Sequence, residues 1–165
     1  MRKSKINISG FKIGTAENRE GLTGVTVILA PDGGATAGVD VRGCAPGTRE
    51  TDLLDPRKTV QKIHAVVLSG GSAFGLEAAS GCVKYLAEQG VGFPIGNVCV
   101  PIVCSAVLFD LMIGDEKAYP DLLMGYEAAK SASSEFLSGC NGAGTGATVG
   151  KLLGFGNAMK SGAGY

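Results

Sequence analysis

Apolar positions along the chain fall into short clusters with two different spacings. Leu22 to Ala30 (LTGVTVILA) is β-branched and apolar, PDGG supplies a turn, and Ala35 to Val41 (ATAGVDV) resumes with small and branched residues. That pattern predicts a β-hairpin. Lys62 to Leu68 (KIHAVVL) reads as another short strand. It runs into SGGSAFGLEAASGCVKYLAEQG, where the spacing turns helical from Phe74 onward. In that helix Leu76, Ala79, Val83 and Leu86 form a stripe widened by Phe74, Ala78, Cys82 and Tyr85, while Glu77, Lys84 and Glu88 can face water. Gly90 suits the C-terminal cap, since glycine takes a left-handed conformation without a Cβ penalty.

The remaining segments are less regular. Arg42 to Arg57 places Gly, Pro, Thr and Asp at close intervals and reads as a long loop. Val91 to Val103 is apolar but broken by Pro94, Pro101, Gly92 and Gly96, which suits irregular or edge-strand backbone. Ala106 to Met112 fits a short strand or a helical turn equally well. A second helix is expected from Asp121 to Ser134, on Leu122, Leu123, Tyr126, Ala129 and Ala132. From Gly139 to Gly156 there are seven glycines, neither helix interior nor strand, and the KSGAGY ending has a linker composition with no final element to close the core.

Composition narrows the class. At 165 residues, 45% hydrophobic and 18% charged, the chain can bury a core and reads as a single domain. Fifteen basic and fifteen acidic side chains balance, and no basic stripe follows the MRKSK start, so nucleic acid is a poor partner. No window reaches the roughly 20 apolar residues that span a bilayer, and no apolar stretch follows the positive start. A soluble, cytoplasmic protein without a membrane partner is the expectation. Five cysteines in irregular spacing, with one histidine, give no metal pattern and suggest buried free thiols.

Two glycine-rich stretches carry the candidate chemistry. In SGGSAFGL, Gly70 and Gly71 precede a helix whose first N–H groups lack intrahelical partners, the basis of an oxyanion or anion site; the same residues also suit a tight turn capped by Ser72. In NGAGTGATVGK the resemblance to GxGxxG lacks its strand, helix and acidic partner, and the P-loop spacing is absent. There Asn141, Thr145 and Lys151 could supply donors to a reacting group, with Lys151 either an oxyanion-stabilising cation or a solvated surface lysine. His64 has no recognisable Ser/Cys and Asp/Glu partners and reads as structural before catalytic. Cys104 and Cys140 lack an evident activating base. Asp40 and Arg42 would share one face of an extended chain, lining a cleft or pairing on the surface.

Taken in order, GLTGVTVIL, AGVDVRGCAPGTRETDLLDP, HAVVLSGGSAFGLEAASG, PIVCSAVLFDL and NGAGTGATVGK resemble the family of L-aminopeptidase/D-esterase, β-aminopeptidase and nylon-oligomer hydrolase enzymes, over Gly21 to Lys151. The resemblance implies an N-terminal-nucleophile amide hydrolase, cut by itself into an α chain and a β chain whose first Ser or Thr attacks the amide. It implies a four-layer α/β/β/α sandwich, with residues 1–165 an incomplete single domain that a second chain or a further C-terminal segment completes. Expected partners are the chain's own β chain, further αβ units in a homo-oligomer, and a small peptide or amide substrate; no cofactor or metal is implied. By the same resemblance Lys151 lies near the nucleophile, and Gly70, Gly71 and Ser72 belong to the turn beside the substrate cleft; Asn141 stays a candidate on its own chemistry as a donor. No nucleophile segment is present, and Ser161, though it follows Lys160, is not N-terminal. A non-enzymatic glycine-rich assembly protein is the alternative from another class, and a nucleotide-binding domain a weaker one.

Overall fold

Near-continuous burial of the central strand β3 (Thr23–Leu29) sets the architecture of this computed structural model, which describes residues 2–164. Met1 and Tyr165, the ends of MRKSK and KSGAGY, lie outside the described residues. In chain order the elements are β1 (Arg2–Lys5), β2 (Lys12–Asn18), β3 (Thr23–Leu29), β4 (Thr48–Arg49), β5 (Ala65–Ser69) and α1 (Ala78–Glu88). There follow β6 (Phe93–Ile95), β7 (Val98–Val100), β8 (Val103–Val107), α2 (Leu122–Lys130), β9 (Glu135–Ser138), β10 (Thr148–Val149) and β11 (Met159–Lys160).

The main sheet has the order β2-β3-β5-β8-β4. β5 and β8 run parallel, and α1 lies on the crossover between them, as a parallel pair requires. Every other pairing in this sheet is antiparallel. β1 pairs with β9, Lys5 opposite Glu135.

Both helices cover one face of the sheet. Val25, Val27, Ala65, Val67 and Val103 pack there against Ala78, Ala79, Cys82 and Leu86 of α1 and Ala128 and Ala129 of α2. Gly81 and Gly125 sit where the helices cross: a Cβ on Gly81 would overlap the Leu122 carbonyl oxygen, and one on Gly125 the Ala78 carbonyl oxygen. Burial pushes the Cys82 thiol up to about 12, so it packs as a small apolar group. At the surface Glu88 joins the helices, accepting from Lys84 and from the Tyr126 hydroxyl, which hold its carboxyl below the ordinary range. On the other face Leu68 remains 39% exposed.

Several expectations are corrected. β3 does not pair with Ala35–Val41, which holds only an isolated bridge from Ala35 to Ile63; β3 pairs instead with β2, from a stretch whose polar composition concealed a strand, and with β5. The helix expected from Phe74 begins as a 3-10 turn over Ser72–Glu77, in which Gly75 packs onto the Gly70 carbonyl too closely for a Cβ. Phe74 leaves the apolar stripe and stacks on Tyr119, exposed. Gly90 takes φ +68°, as a terminating glycine does.

Residues 91–103 form a β6–β7 hairpin and lead into β8. α2 stops at Lys130, short of Ser134, with the Asp121 carboxylate accepting the Met124 N–H at 2.8 Å as its N-cap. The glycine-rich end does hold a final strand, β11, on β10. Three cysteines expected to be buried, Cys44, Cys99 and Cys140, are exposed, while Cys82 and Cys104 are buried and all five thiols are free.

Candidate functional site

The carboxyl end of β5 leads straight into the first glycine turn. Gly71 has φ +78°, and Ser72 follows at φ +52°, a left-handed conformation uncommon outside glycine and frequent at functional sites. The N–H groups are engaged within the fold: Gly70 donates to the Gly24 carbonyl at 2.9 Å, Gly71 to Asp110 Oδ1 at 2.6 Å, and Ser72 to the Leu108 carbonyl at 3.0 Å. Ser72 makes no capping bond with its side chain; Gly71 occupies the cap position.

Asp110 holds this turn in place. It is buried, 3% exposed, and its Oδ2 accepts the Thr23 hydroxyl at 2.8 Å. A Cβ on Gly70 or on Gly146 would collide with its carboxylate, so glycine at both positions lets the two glycine-rich stretches close around one side chain. Replacing Asp110 by Ala strands two buried donors, each worth about 1–3 kcal/mol. A drop in melting temperature of at least ~4 °C is expected for Asp110→Ala, with Asp110→Asn closer to the parent because its amide oxygen still accepts from Gly71. Thermal unfolding checks this, and an unchanged melt for the alanine variant would refute the role.

The second turn is organised by Asn141, 1% exposed. Its Nδ2 donates to the Ser138 carbonyl at 3.1 Å, its backbone carbonyl accepts from Gly144, and its Oδ1 accepts from Arg19 at 3.4 Å. Gly142 N–H donates to Glu17 Oε2 and Ala143 N–H to Thr26 Oγ1, each at 3.2 Å. Strand β3 therefore lies between the turns, giving the Gly24 carbonyl to the first and Thr26 to the second.

Lys151 follows Gly150 (φ +80°) and donates to the Thr148 carbonyl at 3.0 Å, within its own loop. Lys160 is held differently. Its Nζ donates to the carbonyls of Gly144 at 2.9 Å, Ser161 at 3.0 Å and Ala147 at 3.2 Å, so all three ammonium protons have acceptors. A cavity of about 310 Å³ opens beside it, lined by Leu68, Ser69, Gly144, Ala147 and Ala163 among others.

The structure thus brings Gly70, Gly71 and Ser72 close to the NGAGTG stretch through Asp110 and β3, and keeps Lys151 bonded within its own loop. Sequence reasoning missed Asp110 and Lys160. PIVCSAVLFDL contained the first without marking it as buried, and the lysine of MKSG drew less attention than the one ending GATVGK. His64 is buried, which pushes its pKa down, and its Nδ1 accepts the Ile102 N–H at 3.1 Å, a structural position. Asp40 and Arg42 pair in the open at 2.7 Å. Cys104 sits in β8, its thiol raised by burial, and Cys140 is exposed. Among the described residues there is no group of three or more His, Cys, Asp or Glu placed to hold a metal, and no helix is long and apolar enough to cross a membrane.

Comparison with known proteins places these features in context. Residues 5–161 match Peptidase family S58. An uncharacterized aminopeptidase of Mycobacterium tuberculosis is 47% identical over 131 residues, which are 79% of this chain and 38% of that protein. The 6-aminohexanoate-oligomer endohydrolase of Kocuria sp. is 36% identical over 149 residues, 90% of this chain and 39% of the enzyme. In fold, the L-aminopeptidase D-Ala-esterase/amidase of Ochrobactrum anthropi, described as a variant of the Ntn hydrolase fold, superposes with a TM-score of 0.65 at 18% identity, over 84% of this chain and 42% of that one. The chain spans about two fifths of the length of these proteins.

Proposed function

Since the chain belongs to Peptidase family S58, we propose that it forms the α part of an amide hydrolase acting on small peptides or related amides. The match over residues 5–161 carries this reading. Relatives named as aminopeptidase and oligomer endohydrolase support amide hydrolysis as the reaction.

In the proposed enzyme a Ser or Thr at the start of a β chain attacks the amide carbonyl, its own α-amine serving as base, and water then releases the acid from the acyl-enzyme. Developing negative charge on the oxyanion needs donors fixed before the reaction. The N–H groups of Gly70, Gly71 and Ser72 are bonded internally, so in this reading the first turn shapes the cleft and does not donate. Asn141 supports the second turn in the same way. Lys160 joins Lys151 as a proposed cation of the site: its three protons are committed to the carbonyls of Gly144, Ala147 and Ser161, so it would act as a fixed positive charge near the cavity and not as a hydrogen-bond donor to the oxyanion. The mechanism requires no metal or organic cofactor.

The fold completed by the β chain is proposed to be the four-layer α/β/β/α sandwich, its second sheet covering the face on which Leu68 is exposed. The αβ units are proposed to assemble into a homo-oligomer in the cytoplasm.

Expression of the complete gene, with intact mass and N-terminal sequencing of every band and an assay on short peptides and amides, tests the proposal. Two chains, the second starting at Ser or Thr, together with hydrolysis, are expected. A single uncut chain without amidase activity would overturn it in favour of a glycine-rich assembly protein.

A further inference from the structure

Strand β5 runs between the glycine turns at its carboxyl end and a second cavity at its amino end. That cavity encloses about 600 Å³ and is lined by Lys62, His64, Phe93, Pro94 and Cys99 among others, a volume in the range of small-ligand pockets. The five residues of β5 separate it from the candidate site by roughly 17 Å, at about 3.3 Å per residue. The hydrolase reading uses none of its side chains.

His64 is 5% exposed and held on two sides. Its N–H donates to the Ile102 carbonyl at 2.8 Å, its carbonyl accepts the Ala30 N–H at 2.9 Å, and its Nδ1 accepts the Ile102 N–H at 3.1 Å. A ring nitrogen that accepts an N–H carries no proton itself, so the imidazole proton sits on Nε2. Nε2 bonds to no group among the described residues, and it is not sealed inside the core. Fixed by the backbone at one nitrogen and open at the other, the imidazole presents a preorganised donor to the cavity.

Lys62 supplies the charge. Residues 62 and 64 flank Ile63, which bridges Ala35 in extended backbone, so their side chains share a face. The PDGG turn lies against both: a Cβ on Gly34 would be 3.1 Å from Lys62 Cβ and 3.5 Å from His64 Cδ2. Lys62 makes no ion pair among the described residues, and no carboxylate lines the cavity. Gln61, also in the wall, commits its amide to the carbonyls of Pro56 and Lys58. One cation and one neutral donor match a single negative charge, whereas a phosphate dianion would be left undercompensated. The largely apolar wall, with Phe93 and Pro94, suits an apolar body behind that charge.

We infer that this cavity is a second ligand site, which takes a small organic carboxylate: the carboxylate group against Lys62 and His64 Nε2, the apolar body against Phe93 and Pro94. The inference does not depend on the hydrolase reading.

Cys99 is exposed and lines the cavity, so it reports occupancy. The complete protein is treated with N-ethylmaleimide, and alkylation of Cys99 is followed by peptide mass spectrometry with and without 3-phenylpropionate. Saturable protection of Cys99 is expected, with a midpoint on the order of 1 mM for a ligand of this size, while the exposed Cys44 reacts unchanged. Lys62→Met and His64→Asn should each weaken protection by about tenfold or more, the loss of one hydrogen bond to a charged group. Asparagine can still accept the Ile102 N–H through Oδ1 but lacks the Nε2 donor, so its thermal melt should stay close to the parent. Lys62 is exposed, and its variant carries the test by itself if His64→Asn does not fold. No protection, equal protection by uncharged 3-phenylpropanol or by inorganic phosphate alone, or full protection in the Lys62 variant would overturn the inference. A Cys99 that fails to react in the parent protein without ligand would also overturn it, and would assign the cavity to the protein's own remaining polypeptide.

Discussion

Gly125→Ala is expected to destabilise the protein by about 3 kcal/mol or more, although the same change in an ordinary helix interior stabilises by roughly 0.5–1 kcal/mol. The sign reverses because the new methyl group would enter the backbone of α1 at Ala78, and a carbonyl cannot rotate away as a side chain can. Gly81→Ala meets α2 at the Leu122 carbonyl and should behave alike. Nothing lies within 4 Å of a Cβ at Gly38, so Gly38→Ala is the control and should change stability little. Urea unfolding of the three variants measures the difference; a neutral Gly125→Ala would mean that the helices are packed less closely than the structure shows.

Lys160→Met in the complete enzyme is expected to lower kcat by about 100-fold, because it removes a fixed charge near the site together with the tie that holds the surrounding loop, a loss comparable in size to that of one preorganised electrostatic group. It removes the ammonium and leaves the carbonyls of Gly144, Ala147 and Ser161 without their donor, so the loop bordering the cavity loses both charge and position. Lys151→Met removes one bond within its own loop and should lower kcat by less than about tenfold. Steady-state kinetics on properly folded variants, checked by circular dichroism, separates the two. A larger loss at Lys151 would return the assignment to the lysine that the sequence favoured.

Local chemistry made part of this fold legible. LTGVTVIL and AVVL announced strands through β-branched residues, and the helical stripe ending at Gly90 announced α1, because each signal is contained within one element. Pairing was less legible: KIGTAEN carries few branched apolar residues, and its strand is fixed by β3 alongside it. The PDGG turn suggested a hairpin partner for β3 on the wrong side, since a local turn cannot report a strand from earlier in the chain. In the candidate site, Gly70, Gly71 and Asn141 were visible as unusual composition. Asp110 was not, because its importance comes from Thr23 and Gly71, which are 87 and 39 residues away.

The pairing of β1 with β9 has a consequence for the order of events during synthesis. Lys5 lies opposite Glu135, so the first strand leaves the ribosome long before its partner exists. At roughly 5–20 residues per second the delay is about 6–26 s, far longer than the microseconds in which a local hairpin closes. During that interval β2 and β3 can zip together from their own turn, while the N-terminal strand waits in the nascent chain as a late-docking element.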